Sequence, residues 1–480
     1  MADVKATPKA NKMGYMPMGK LLATMSIPII ISLIISALYN IIDSIYVSQI
    51  GENALTAVTL CFPMQMIMMA IGAGMCVGVN ALLSKALGER NHKLADLIAQ
   101  HAIFLAAISS VIVGVIFYNI APGFIASQAK NADPIVVTYG TAYLKVVSAF
   151  YFGSLFGVTL ERLLTSTGRT NLTMYGHVTG AVLNIILDPI FIFGKGPIPA
   201  FGVAGAAYAT VIGQIVSAII SLVLNIRKNH EINLFSKGFR PSMTIIKNIY
   251  KIGVPSMIMQ CIGSFTTLGI NGILMSFTPT AIATNGVFNR INSMIMFPVF
   301  GISSSMVPII AFNYGAQNKK RVNEAVNKST LAAFVIMAIG VFVLWVFPRQ
   351  LMGIFNATPE MEAIGVWCFR LISTSFIPAS YCMLRGSAMQ ALGNSFYTML
   401  TSLLRQIIVL LPAAFLFSRL FGLNGTWLGW PCAEVASLIL NIFFYRSVYK
   451  KTVGLLPDEQ PLEFQYTEDG KPVVAASTEE

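Results

Sequence analysis

Apolar residues gather into twelve long runs, at roughly 21–46, 54–84, 95–119, 134–160, 171–194, 203–226, 246–272, 280–312, 326–347, 359–384, 396–418 and 425–448. A helix needs about 20 apolar residues to cross the hydrocarbon core of a bilayer. The pattern therefore predicts an all-α polytopic membrane protein of twelve transmembrane helices. Composition agrees, with 55% of residues apolar and 11% charged, against about 25% charged in soluble domains. The first run is longer than the apolar core of a signal peptide and lacks a clear cleavage site, so it is expected to stay as the first span.

Charge sets the expected orientation. The net excess of +12 sits in short loops between apolar runs and forms no nucleic-acid module, which points to membrane topology. Lys5, Lys9, Lys12 and Lys20 precede the first span. Even loops hold Lys85, Arg90 and Lys93, then Arg162 and Arg169, then Arg227, Lys228, Lys237, Arg240 and Lys247, then Lys319, Lys320 and Arg321; odd loops hold only Lys130, Lys195, Arg349 and Arg419. Both termini are thus expected on the cytoplasmic side of the membrane. The six cysteines lack CxxC or Cys/His spacing, so neither disulfides nor zinc are expected.

The halves repeat. Ile27-Pro28 corresponds to Val254-Pro255, and Gly88-Glu-Arg-Asn91 to Gly315-Ala-Gln-Asn318, both displaced by 227 residues. Thr167-Gly168-Arg169 matches Leu392-Gly393-Asn394, and Phe201-Gly-Val-Ala-Gly205 matches Phe421-Gly-Leu-Asn-Gly425. An even number of spans per repeat gives both halves the same orientation, as in parallel-repeat transporters with a central cleft. The expected organisation is a cytoplasmic segment over 1–20, an N-lobe over 21–226, a cytoplasmic connector over 227–245 with a candidate amphipathic stretch, a C-lobe over 246–448, and a disordered cytoplasmic tail over 449–480.

Polar groups inside the apolar runs locate candidate chemistry. An ionised side chain at mid-bilayer costs about 2.5 to 3.5 kcal/mol on insertion scales, so such groups usually face a cavity and act. In GAVLNIILDPIFIFG (180–194), Asn184 and Asp188 are four apart on one helix face, His177 shares that face, and Pro189 frees a carbonyl beside the carboxylate. Asp43 lies in LIISALYNIIDSIYV. Thr210 in the sixth run falls at a depth comparable to Asp188, with Gln214 one turn further. Asp43, Asn184, Asp188 and Thr210 offer hard oxygen ligands or a shared proton site. The repeat places Ile270, Val409 and Ala413 opposite Asp43, Asn184 and Asp188, so this chemistry belongs to the first half. Arg290 and Glu434, inside spans eight and twelve, are expected to pair with one another. Pro28 is a candidate hinge, and Tyr39, Asn40, His177, Gln214, Arg290 and Glu434 are accessory candidates.

In combination, GAVLNIILDPIFIFG followed by FGVAGAAYAT, YNIIDSIYVSQIG after Pro28, and NRINSMIMFPVFGISSSMVPIIAFNYGAQN resemble the multidrug and toxic compound extrusion (MATE) family, in its DinF-like prokaryotic branch. The likeness covers about residues 20–450. It implies two six-helix lobes and a secondary antiporter exporting cationic or amphipathic organic compounds in exchange for protons or sodium ions, with no other cofactor and a monomer sufficing. It maps the N-lobe cation site, for H+ or Na+, onto Asp43, Asn184, Asp188 and Thr210. Span seven reads MIMQCIGSF, without the acid that a C-lobe sodium site carries elsewhere in the family. A lipid or oligosaccharide flippase of the wider superfamily is the alternative. An intramembrane aspartyl protease is disfavoured, because its YD and GxGD motifs are missing.

Overall fold

The computed structural model describes residues 11–129, 133–194, 197–235, 239–355, 357–458, 464–466 and 472–474. Lys5, Lys9, Lys130, Lys195, Gly196 and Lys237, which contribute to the loop pattern, lie outside the described residues. Eight spans are single helices: α2 (Met18–Ser48), α3 (Glu52–Gly88), α4 (His92–Gln128), α7 (Thr170–Phe193), α8 (Val203–Lys228), α9 (Met243–Met275), α10 (Pro279–Gly315) and α11 (Lys319–Val346). A short α1 (Lys12–Tyr15) precedes them and α12 (Pro348–Gly353) follows.

The fourth span is α5 (Pro134–Ala149) and α6 (Tyr151–Ser166), bent by 49°, and the tenth is α13 (Pro359–Ser373) and α14 (Phe376–Ala391), bent by 47°. The eleventh joins α15 (Ser395–Leu403) through a π-helical segment (Leu404–Leu410) to α16 (Leu411–Phe421), and the twelfth is α17 (Leu423–Trp427) with α18 (Gly429–Lys451). Among the described residues ten helices are long and apolar enough to cross a membrane, and up to twelve spans result if each bent pair counts as one.

The repeat is written in the backbone. Arg90 and Gln317, equivalent non-glycine residues, both take positive φ, at 57° and 56°. The asparagine after each, Asn91 and Asn318, caps the next helix by accepting from the backbone N–H of Leu94 and Arg321 at 3.0 Å. Gly168 and Gly393 likewise share left-handed backbone, at φ 82° and 80°.

The two halves meet backbone to backbone. A Cβ added to Gly88 would lie 1.9 Å from the Phe312 carbonyl oxygen, and one on Gly315 2.2 Å from that of Lys85. One on Gly78 would meet the Ile249 oxygen at 2.2 Å, and one on Gly74 would strike Met257. Between α2 and α10, Gly301 faces Ile30, and the Ser26 and Ser305 hydroxyls are 2.7 Å apart. All these approaches use the early part of α2 and α9 and the late part of α3 and α10, so the lobes join at that end. One buried apolar cluster crosses the junction; a separate one, with Val47, Cys61, Leu144 and Ile192, fills the other end of the first half.

Three segments outside the spans are also placed. Residues 11–17 are held in place: the Asn11 amide donates to the Thr167 carbonyl and Glu231, and the Met13 carbonyl accepts from Asn313 and Arg321. Met13 is fully buried. The described connector residues 229–235 and 239–242, between α8 and α9, are non-helical. They lie on α4, where Asp96 accepts from the Asn233 N–H at 2.6 Å and His101 from the Ser242 N–H at 2.7 Å. In the tail expected to be disordered, β1 (Phe464–Tyr466) pairs antiparallel with β2 (Pro472–Val474).

Gly88→Ala is expected to pry this end apart, because the only relief of the contact is backbone movement, which costs about 1 to 3 kcal/mol. In a cysteine-free background, spin labels at Lys93 and Lys320 should report a longer, broader distance in the variant. An unchanged distribution would show that the glycine contact does not hold the lobes together.

Candidate functional site

The first half gathers the polar residues of α2, α7 and α8 near the end away from the lobe junction. Helices α7 and α8 touch through glycines: a Cβ on Gly180 would lie 2.8 Å from the Gly213 carbonyl oxygen, and the reverse approach is 2.7 Å. Small residues admit such closeness between membrane helices. One turn on, it brings Asn184 against Thr210. The Asn184 amide donates to Asp188 Oδ1 at 3.2 Å and to Thr210 Oγ1 at 3.4 Å. Helix α2 packs along α7 and carries the buried Asp43.

What the cluster lacks is donors. Asp43 Oδ1, Asn184 Oδ1 and Asp188 Oδ2 are all buried without a hydrogen-bond partner. Helix α7 continues through Pro189 to Phe193, so the carbonyl four residues earlier, on Ile185, loses its usual helical donor. Buried acceptors without donors are costly and carboxylates most of all. A proton or a hard cation satisfies such a set, and sodium fits its oxygen chemistry. Two carboxylates with amide and hydroxyl oxygens form no cluster of three acidic, His or Cys ligands, and no such cluster occurs among the described residues.

The MatE family model matches the chain twice, over residues 28–190 and 255–416. The chain belongs to the MATE family. The two matches begin 227 residues apart, the displacement of the internal repeat.

This MATE chain is 26% identical over 428 residues to the multidrug export protein MepA of Staphylococcus haemolyticus, covering 88% of the chain and 92% of that protein. It is 27% identical over 436 residues to an FAD transporter of Shewanella oneidensis, covering 89% and 94%. Among solved structures it is similar to an outward-facing multidrug resistance MATE family transporter of the MOP superfamily, with a TM-score of 0.86, 26% identity and coverage of 93% of this chain and 100% of that one. A MOP superfamily transporter from Pyrococcus furiosus, whose reversed pocket polarity suggests a different function, also superposes with a TM-score of 0.86, at 25% identity and coverage of 93% and 99%.

Other predicted residues fall elsewhere in the MATE fold. His177 shares the α7 face of Asp188 but lies eleven residues, about 16 Å, along it. There its Nδ1 is 2.6 Å from Glu161 on α6. Ser217 on α8 also donates to Glu161, at 3.5 Å. Glu161 was missed from sequence because it stands at the end of an apolar run, beside Arg162. Tyr39 is half-buried on α2, four residues from Asp43, whereas Asn40 is exposed with its amide tied to the Ser36 carbonyl. Gln214, half-buried on α8, takes no part in the two hydrogen bonds made by Asn184.

The expected pairing of Arg290 with Glu434 does not form. Arg290 is exposed, and Glu434 binds Arg405 on the π-helical segment, Nη1 to Oε1, at 2.5 Å. Helix α18 packs against that segment rather than against α10, which decides the partner. Arg405 was legible as a charge inside the run 396–418 and was overlooked.

Removing the uncompensated carboxylate is expected to stabilise the cation-free protein. In alkaline, sodium-free buffer, Asp188→Asn should raise the unfolding midpoint, by the equivalent of about 1 to 3 kcal/mol. A lower midpoint for the variant would show that Asp188 already has a compensating partner.

Proposed function

We propose that this MATE protein is a secondary active antiporter that exports cationic or amphipathic organic compounds in exchange for protons or sodium ions. The coupling cation enters at Asp43, Asn184, Asp188 and Thr210. The observation that carries this reading is the set of three buried, donorless oxygen atoms on three of those side chains. The similarity to MepA, named as a multidrug export protein, supports the cargo class.

Orientation follows from loop charge: the joined end, with Lys85, Arg90 and Lys319 to Arg321, faces the cytoplasm, and the lobes part toward the outside. Asp43 and Asp188 then lie in the outer half, where an external cation reaches them first. Binding there couples to export only if cation and cargo favour different arrangements of α2. Helix α2 suits that role, because it carries Asp43 near one end and packs on α10 through Ser26 near the other, with Pro28 between.

Two measurements test the reading. In everted vesicles with sodium and pH gradients varied independently, Asp43→Asn and Asp188→Asn should each abolish gradient-driven accumulation of a lipophilic cation while leaving expression intact. Wild-type accumulation rates in both variants would reject the N-lobe mechanism. Reporter fusions at residues 198 and 235 should label from opposite sides of the membrane, and labelling from one side would reject the orientation.

A further inference from the structure

We infer that the second half holds an oxyanion subsite centred on Arg405, which admits exported compounds carrying a carboxylate or phosphate group beside their apolar body. This rests on the export reading and names a substrate class for it.

Arg405 and Gln406 lie on the π-helical segment Leu404–Leu410, a geometry that recurs where helices serve function. Glu434 engages only Nη1 of the guanidinium. An arginine offers five N–H donors in a fixed fork, so most remain for a ligand. The Arg405 side chain is 32% exposed while Glu434 is only 9% exposed. An arginine turned toward lipid at this depth is strongly disfavoured, so we take its open edge to face the space between the lobes. Neighbouring polar groups are already committed: the Gln406 amide donates to Ser402 Oγ at 2.8 Å, and its carbonyl accepts from Thr266 at 3.3 Å. Glu434 Oε2 is buried and unpartnered, so it accepts nothing further from Arg405.

The repeat locates the change between the halves. By the displacement of Gly168 to Gly393, Arg405 stands where the first half has Gly180, the glycine that lets α7 and α8 touch. By that of Gly205 to Gly425, Glu434 stands where the first half has Gln214. A side chain in place of the glycine puts a guanidinium on the equivalent face of the eleventh span, where α18 packs against the π-helical segment. Glu434 neutralises it, so cationic parts of a cargo are not repelled, while the free N–H groups select an oxyanion. Arginine is suited to that task because its planar fork meets both oxygens of a carboxylate or phosphate.

The test compares a cationic rhodamine ethyl ester with its free acid, which differs only in bearing a carboxylate, by fluorescence polarisation on the purified full-length protein in detergent. Wild type should bind both dyes. Arg405→Gln should weaken the free acid about tenfold or more, about 1.4 kcal/mol, and the ester less than about twofold, since only the free acid loses the charged partner of its carboxylate. Glu434→Gln, which frees the guanidinium, should tighten the free acid. Equal loss of both dyes in Arg405→Gln marks a structural ion pair and overturns the subsite, as does no change in either. If Arg405→Gln does not fold, a weaker free acid in Glu434→Gln overturns it. Wild type that binds the ester alone rejects the subsite and leaves the export reading standing; wild type that binds neither dye rejects both.

Discussion

Backbone contact at one end of the molecule governs how the two lobes stand. Lipid offers little hydrophobic drive for one helix to leave it for another, so membrane helices associate through close packing and hydrogen bonds. Here the closeness comes from Gly74, Gly78, Gly88 and Gly315, where any Cβ would collide with a neighbour across the lobe boundary. Residues 11–16 reinforce it with hydrogen bonds, the Arg321 guanidinium donating to the carbonyls of Met13 and Met16. The far end of the first half has its own apolar cluster, so it packs without help from the second half. One end is therefore a joint, and the other is left free to change.

Within this frame the two halves use equivalent positions differently. Gly180 and Gly213 close α7 onto α8, bringing Asn184, Asp188 and Thr210 into a cluster of acceptors. In the second half the corresponding place holds Arg405 on a π-helical segment, compensated by Glu434. Burying an ion pair gives little net stability, since desolvation of both groups offsets much of their attraction. A pair placed where a glycine would pack more simply suggests use. Uncompensated acidic chemistry thus sits in one lobe and compensated chemistry in the other.

The spans, the repeat and the first-half cluster were legible because each leaves a local mark: length of apolar run, matching glycine and asparagine turns, or an acid where lipid should forbid it. What stayed hidden lies between distant positions. The bends at Phe150 and at Thr374 and Ser375 contain neither glycine nor proline, and apolar periodicity passes through them unchanged. The pairing of His177 with Glu161, and of Glu434 with Arg405, depends on which helices pack together, and matching depth alone misassigned Glu434. The docking of residues 11–17 has no periodicity to reveal it, since its main acceptors are backbone carbonyls.

The composition of the first-half cluster bears on how a cation could drive movement. Asn184, Asp188 and Thr210 sit on α7 and α8, which glycine contact holds together whatever α2 does. Asp43 alone comes from α2. If α2 changes shape at Pro28, one charged ligand leaves while three stay, and the remaining site has half the carboxylate charge. A cation then binds one shape of α2 better than the other, and differential affinity is the quantity that shifts a conformational equilibrium; equal affinity shifts nothing, however tight. Early in α2, Ser26 and Ile30 press on Ser305 and Gly301 of α10. The helix that carries Asp43 is thus also one that touches the opposite lobe, so under the proposed coupling a local gain of charge compensation has one continuous element through which to reach it.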